Sequence, residues 1–324
     1  MMGPLVSAVI ATHNREKLLP EAVKSIQEQT YSNFEIIIVD DASQDDTPAV
    51  IERLIENDPR IRFIHSDKNI GPGAARNLGI AVARGEYVAI MDDDDLSEPY
   101  RLELEIEAFR KNPDAKLVFS SVSWVDDSLN TTNVFPGIVA NGLFPSDPKD
   151  VFRLLYMEGN KIPNTTITFR RELGNDFRYP ENPWIGEDWF LCMQFAASGG
   201  KMKVISEPLV RQRRGQDRQG LMAGSTKVVF RAQREVLLMI RHWLRHEGII
   251  EFDSLYKRAI ANQILRESRH FVGIKGIVMV FQSFLLWPTN PKVKKQIGWY
   301  LNKLGSKLAC KRSMGKKDTD ALTN

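Results

Sequence analysis

Four consecutive carboxylates, Asp92-Asp93-Asp94-Asp95, stand directly after the apolar run Tyr87–Met91. At neutral pH such neighbours repel one another, and the repulsion is relieved by a cation, by proton uptake or by spreading into solvent. Oxygen-only ligands favour Mg2+ or Mn2+, ions that keep open positions for phosphate oxygens. A solvated acidic turn is the plain alternative, less favoured directly after a buried strand. A calcium loop also competes, since Asp92, Asp94 and Glu103 take its first, third and twelfth places. It is rejected because Ser97 replaces the sharp-turn glycine and Leu96 a ligand.

Three further clusters carry chemistry. In Gly71-Pro72-Gly73-Ala74-Ala75-Arg76-Asn77 the small residues let backbone approach a ligand. The helix that follows offers its N-terminus to an anion. Arg76, one turn in, can contact a diphosphate or orient a base; the alternative is a tight turn capping an ordinary helix. Asp40 and Asp41 end an apolar run, where a carboxylate accepts from a ribose or a base N–H, or forms an Asx-turn. Glu187-Asp188 lies between Trp184 and Trp189. Aromatic rings there offer a sugar-stacking surface and lower the local polarity, which raises a carboxylate's proton affinity toward that of a useful base. The cationic stretch Arg211-Gln212-Arg213-Arg214 can neutralise a leaving diphosphate or serve as a basic surface loop. Among the five histidines only His242 and His246 have helical spacing, without a third ligand.

The elements that must position these groups alternate. Leu5–Ala11, Phe34–Val39, Ile61–Ile64 and Tyr87–Met91 read as strands, separated by helical patterns at Lys17–Glu28, from a Ser43/Asp46 capping box to Glu56, and at Gly73–Arg84. Pro99 is expected in the first turn of a helix running to Lys111. This order implies a mostly parallel sheet covered on both faces, with ligands at the carboxyl ends of its strands. Ala11-Thr12-His13-Asn14, Asp40-Asp41 and Asp92–Asp95 all fall at such ends. Strands are expected near Lys116–Ser123, Thr165–Phe169 and Lys203–Ile205, a helix at Trp189–Ala197, and a loop over Asn130–Asp150. After about Thr226 the chain reads as helical.

Composition narrows the class. The net charge of +3 over 324 residues is too small to imply nucleic acid. From Pro291 to Lys317, however, there are nine Lys or Arg and no Asp or Glu. Such a tail suits an anionic surface or a solvated helix face. Cys192 and Cys310 are far apart, which fits a reducing compartment. The N-terminus lacks the pattern of a signal peptide, and no stretch reaches the ~18 apolar residues of a membrane span. The expected location is cytoplasmic, with peripheral attachment to the inner face of the plasma membrane as the open variant. Its carrier would be the apolar segment Gly276–Trp287, otherwise a core helix.

Taken together, these residues resemble the family 2 glycosyltransferases with the GT-A fold. The resemblance runs through Val6–Arg15, Gln29-Thr30-Tyr31 with Glu35–Ser43, Asn69–Gly79, Gly85–Asp95 with Pro99 and Arg101-Leu102-Glu103, and Glu187-Asp188, in the family's order and over about residues 5–215. It implies a GT-A type, Rossmann-like α/β domain over residues 1–220; the helical pattern beyond gives a helical C-terminal region over 221–314, and the polar last ten residues a disordered tail over 315–324. It also implies an inverting, metal-dependent transfer from a nucleotide-sugar, UDP-linked by family habit, to a glycan or lipid-linked acceptor. By position, Ala11 (through its backbone), His13 and Asp41 would hold the base, and Arg76 would sit near base or diphosphate. Asp92 and Asp93 would lie by the ribose and metal, and Asp94 would bind Mn2+ or Mg2+. Asp188 would be the catalytic base, with Glu187 the second choice. The histidine that many relatives carry after the last core strand is replaced by Arg213-Arg214-Gly215. A nucleotidyltransferase would need a basic, glycine-rich loop after the first strand, which Thr12-His13-Asn14-Arg15 is not. A non-catalytic nucleotide-sugar-binding module remains the other alternative.

Overall fold

The structure, a computed structural model, describes residues 3–136, 139, 141–182, 185–214, 226–271, 274–293, 295–297 and 299. The chain divides into two compact units, Met1–Gly224 and Ser225–Asn324.

The first unit is built on one sheet. Strands β1 (Val6–Thr12), β2 (Phe34–Asp40), β3 (Ile61–His65) and β4 (Tyr87–Asp92) pair in parallel in the order β3-β2-β1-β4. They are linked by helices α1 (Leu19–Gln27), α2 (Thr47–Asn57) and α3 (Pro72–Val82), as the alternating apolar runs require. Every residue of β2 is buried, the pattern of a strand covered on both faces. The sheet continues through β8 (Thr168–Arg170), β6 (Ala115–Val125), β9 (Lys201–Arg213) and β5 (Leu96–Ser97), with β7 (Thr131–Phe135) beside β6. Helices α4 (Arg101–Lys111), α5 (Pro148–Glu158) and α6 (Glu187–Ala197) complete the unit.

The structure departs from the sequence-based expectation in several places. Only the first half of the sheet is uniformly parallel: β8 runs antiparallel to both β4 and β6, β5 to β9, and β7 to β6, so the sheet is mixed. The expected loop Asn130–Asp150 contains β7 and the start of α5. Thr165 lies in a short 3-10 turn, Asn164–Thr166, not in the strand that follows. The Ser43/Asp46 capping box does not form, because Ser43 Oγ accepts from the Asn14 N–H and Asp45 Oδ1 caps Thr47. Pro99 precedes α4, whose first residue is Arg101.

Helix α3 lies very close to the sheet because Gly79 has no side chain. A Cβ there would come within 2.5 Å of Val9 Cγ1 and 3.2 Å of Val39 Cγ2. Below α4, Arg101 and Glu105 form a wholly buried ion pair of 2.9 Å. Arg101 Nη2 also donates to the Ile90 carbonyl of β4, and Thr168 Oγ1 donates to Glu105 Oε2. These contacts tie α4, β4 and β8 together beneath the acidic run.

The second unit holds α7 (Thr226–His246), α8 (Leu255–Ser268) and α9 (Ile274–Leu286). Asp253 accepts from Arg241 and Arg245 at the turn between α7 and α8. Val280 of α9 packs with Leu265 of α8 and Val293. Among the described residues no helix is long and apolar enough to cross a membrane. The tail 315–324 lies outside the described residues.

Candidate active site

The parallel register brings three strand ends side by side. Ala11 of β1 is level with Val39 of β2 on one side and Asp92 of β4 on the other. Beyond Ala11 the chain turns into His13, Asn14 and Arg15. His13 Nδ1 lies 2.7 Å from the Asp41 carbonyl oxygen, which can only accept, so Nδ1 carries the proton. Its Nε2 then accepts from the amides of Asn14 and Asn69. The Asp41 carboxylate accepts from the N–H groups of Ile70 and Gly71 at 2.7 and 2.8 Å, fastening the approach to α3. Asp40 is fully buried and caps its own turn through Ser43 N while facing His65.

The four aspartates separate into distinct environments. Asp92 Oδ1 accepts from Arg76 Nη2 at 2.9 Å and from Asn164 Nδ2 at 3.0 Å. Asp93 and Asp94 both face Arg15, at 3.4 and 3.9 Å. Burial and the neighbouring Asp94 push the Asp93 carboxyl up to about 7, against the pull of Arg15. Asp95 is fully buried and accepts from the Arg213 N–H at 3.2 Å. Asp92, Asp93 and Asp94 are half-buried, so only these three face outward.

Glu187 and Asp188 open α6. Glu187 is buried, and its Oε1 lies 2.8 Å from Arg76 Nη1. Burial, with Asp188 beside it, holds its carboxyl up at about 7, opposed by Arg76. Asp188 is half-buried; its Oδ2 accepts from Asn160 Nδ2 at 2.8 Å and its Oδ1 from the Trp189 N–H. Burial raises its carboxyl as well, while that N–H, Arg76 and Asn160 pull it down. The Arg76 guanidinium thus joins the acidic run to the Glu187-Asp188 pair and sits 5.4 Å over the Tyr179 ring. Gly73 makes room for this contact: a Cβ there would meet Pro180 O at 2.6 Å and Glu187 Cγ at 3.3 Å.

The aromatic flank is not as the sequence suggests. Trp189 is buried in the core and offers no stacking face, and Trp184 lies outside the described residues. The cationic stretch is the end of strand β9, not a loop. Arg211 pairs with Glu98 at 3.1 Å, Arg213 pairs with Glu21 and donates to the Asp94 carbonyl, and Arg214 lies over the Trp124 ring. Gly215 lies outside the described residues. Arg15, Asn160, Asn164 and Tyr179 belong to the site as well, although sequence patterns do not point to them. Of the four, only Arg15 carries a local signal, its adjacency to His13-Asn14.

The donor set suits a hard cation. Asp93 and Asp94 present carboxylate oxygens on one loop; burial first, and then the repulsion of Asp94, raise the Asp93 carboxyl, and a cation would relieve that repulsion. Among the described residues no group of three or more His, Cys, Asp or Glu is arranged to hold a metal ion. One or two carboxylates completed by phosphate oxygens and water is the usual set for Mg2+.

A sequence model described as glycosyl transferase family 2 matches residues 7–177, or 171 of the 324 residues. The chain belongs to glycosyltransferase family 2. The succinoglycan biosynthesis protein ExoO of Rhizobium meliloti is 33% identical over 210 residues, 62% of this chain and 58% of ExoO. The match thus spans under two thirds of that relative. Among solved structures, S. aureus TarS 1-349 in complex with UDP-GlcNAc superposes with a TM-score of 0.59 at 17% identity, over 90% of this chain and 91% of that one. The mannosyltransferase PcManGT of Pyrobaculum calidifontis, in complex with GDP-Man and Mn2+, gives 0.51 at 20% identity over 92% and 83%. The family match identifies a glycosyltransferase, and the likeness to the two solved structures a GT-A-like fold.

Proposed function

We propose that this family 2 glycosyltransferase transfers a sugar from a UDP-sugar to a hydroxyl of a glycan or lipid-linked acceptor, with inversion, in a metal-dependent reaction. The observation that carries the proposal is the junction of Asp92, Arg76 and Glu187, which sets Asp188 beside an outward-facing acidic loop. The named ligands of TarS and PcManGT and the glycan in ExoO's name support the donor class, the cation and the acceptor class.

Ala11, His13 and Asp41 bind the base at the ends of β1 and β2, where Asp41 has lone pairs beyond those used by Ile70 and Gly71. Asp92 and Asp93 flank the ribose and diphosphate. Asp94, with Asp93 beside it, would hold Mn2+ or Mg2+, which when bound neutralises charge on the departing diphosphate. Asp188 takes the proton of the acceptor hydroxyl as its oxygen bonds to the anomeric carbon. The bond from that carbon to the β-phosphate oxygen breaks, its electron pair leaving on the nucleoside diphosphate. One base and one displacement invert the configuration. Asn160 orients the Asp188 carboxylate, and burial raises its proton affinity, as a general base requires.

The test is nucleoside diphosphate release from UDP-, GDP- and TDP-sugars with Mn2+ present or chelated, with product configuration read by NMR. Metal-dependent release from the UDP-sugar and an inverted product are expected. Absence of release from all three donors would refute catalysis and leave a binding module.

A further inference from the structure

Helix α9 buries one face and leaves an apolar face in solvent. Gly276, Met279, Val280 and Ser283 point inward, Ser283 Oγ donating to the Ala261 carbonyl of α8. On the opposite side Ile277, Val278, Phe281, Phe284 and Leu285 are exposed, Phe281 by 59% and Leu285 by 63%. At 100° per residue these five fall within an arc of roughly 120°. Within that arc there is no charge or hydrogen-bonding side chain. The two phenylalanine rings stand together, centroids 6.5 Å apart. Isolated exposed leucines are ordinary, but a continuous uncharged face rich in Phe and Leu marks a contact surface.

The charges around this face identify its partner. Lys275 is exposed two residues before its first member, Ile277, and Lys292 and Lys295 are exposed after it. From Pro291 to Lys317 the sequence carries nine Lys or Arg and no Asp or Glu. Pairing two copies of the chain through α9 would bring these cations together. An anionic surface would neutralise them. At 13 residues the helix is about 20 Å long, too short to span a bilayer and suited to lie in its interface. We propose that α9 docks on an anionic lipid surface, its Phe281-Leu285 face in the acyl boundary and the flanking lysines at the headgroups. The proposal goes beyond sugar transfer and does not depend on it.

The full-length protein is floated with vesicles of phosphatidylcholine alone and with vesicles containing phosphatidylglycerol. Binding to the anionic vesicles only, weakening as salt rises, is expected. Phe281→Gln with Leu285→Gln, both at exposed positions, is expected to lower partitioning by roughly tenfold or more. Lys292→Glu with Lys295→Glu is expected to lower anionic binding at low salt. Wild-type protein that does not float, or a glutamine double variant that floats as well as wild type, would overturn the proposal. So would a wild-type dimer in sedimentation that the glutamine double variant converts to monomer, since the face would then be a self-association surface.

Discussion

Arg76 Nη1 and Glu187 Oε1 lie 2.8 Å apart although 111 residues separate them in the chain. The same guanidinium reaches Asp92 through Nη2, so α3 links the strand that carries the acidic run with the helix that carries Asp188. Arg76 and Glu187 are buried and Asp92 is half-buried, and a planar fork can hold two carboxylates at once where an ammonium cannot. The acidic loop and the start of α6 are therefore parts of one hydrogen-bonded unit.

Arg76→Met removes the cation and leaves two carboxylates behind. Deleting one partner of a buried pair costs about 3–5 kcal/mol when the other must stay charged. Glu187 can escape by taking up a proton, the more readily because burial already holds its carboxyl up at about 7. The variant is expected to lose about 3 kcal/mol or more of stability near pH 8 and distinctly less near pH 6. Urea denaturation at the two pH values measures this; an equal loss at both would contradict the ion-pair account.

The raised Glu187 carboxyl has a defined sign in stability. Its folded value lies above its ordinary one, so the folded state binds the extra proton. That contribution is fully present below the ordinary glutamate range and is lost as pH rises through about 7. Wild-type stability is expected to fall across that window, and Glu187→Gln is expected to make the decline shallower. It will not abolish the decline, because burial raises Asp188 and Asp93 in the same direction. The readout is the slope of the denaturation midpoint against pH, compared between the two proteins.

How much of this arrangement is legible in the sequence follows from the range of the contacts. Strands β1 to β4 announce themselves as short runs in which apolar residues predominate, and the rule that parallel sheets bind ligands at strand ends is enough to group Ala11, Asp41 and Asp92. The partners of Asp188 and Asp92 do not announce themselves. Asn160 and Asn164 belong to no sequence pattern, and they meet Asp188 and Asp92 only when the chain returns beside β4 through β8, with the Tyr179 hydroxyl donating to Asn164 Oδ1. Arg76 is legible as a cation on a helix, but nothing local names Glu187 as its partner. The turn residues from Pro136 to Pro148 likewise mask the elements on either side of them, β7 and the start of α5.

Asp188→Asn tests the base directly. The amide keeps the shape of the side chain but cannot accept the acceptor's proton. A fall in kcat/KM of about 10²–10⁴ is expected, the usual yield of general-base catalysis. Mn2+-dependent UDP binding, followed by calorimetry, is expected to stay within about twofold because Asp188 contacts neither base nor diphosphate in this mechanism. Full activity in the variant would remove Asp188 from the reaction.

Asp94 and Asp95 are neighbours with opposite expectations. Asp95 is fully buried and holds the end of β9 through the Arg213 N–H. Asp95→Asn is expected to destabilise the fold by about 1–3 kcal/mol, the cost of disturbing a buried acceptor, with the Mn2+ requirement unchanged. Half-buried Asp94 is the proposed metal ligand. Asp94→Asn is expected to raise the Mn2+ concentration for half-maximal activity by tenfold or more while Tm moves little, as for loss of about 1.4 kcal/mol of cation binding. Thermal melts and Mn2+ titrations of both variants decide the matter, and a reversed pattern would exchange the two roles.

Gly73→Ala and Gly79→Ala separate geometry at the site from packing beneath it. Both glycines lie in α3, where alanine by itself favours the helix by about 1 kcal/mol. At Gly79 the new methyl meets the side chains of Val9 and Val39, an overpacking cost of about 1–3 kcal/mol borne by the core. At Gly73 it meets the Pro180 carbonyl, which as backbone cannot rotate away, and then Glu187 Cγ. Relief there requires α3 and the start of α6 to move apart, which draws Arg76 away from Glu187. Gly79→Ala is therefore expected to lower Tm with kcat nearly unchanged in the folded fraction. Gly73→Ala is expected to lower kcat well beyond any change in stability, and equal kcat in the two variants would show that the spacing of α3 and α6 does not set the site.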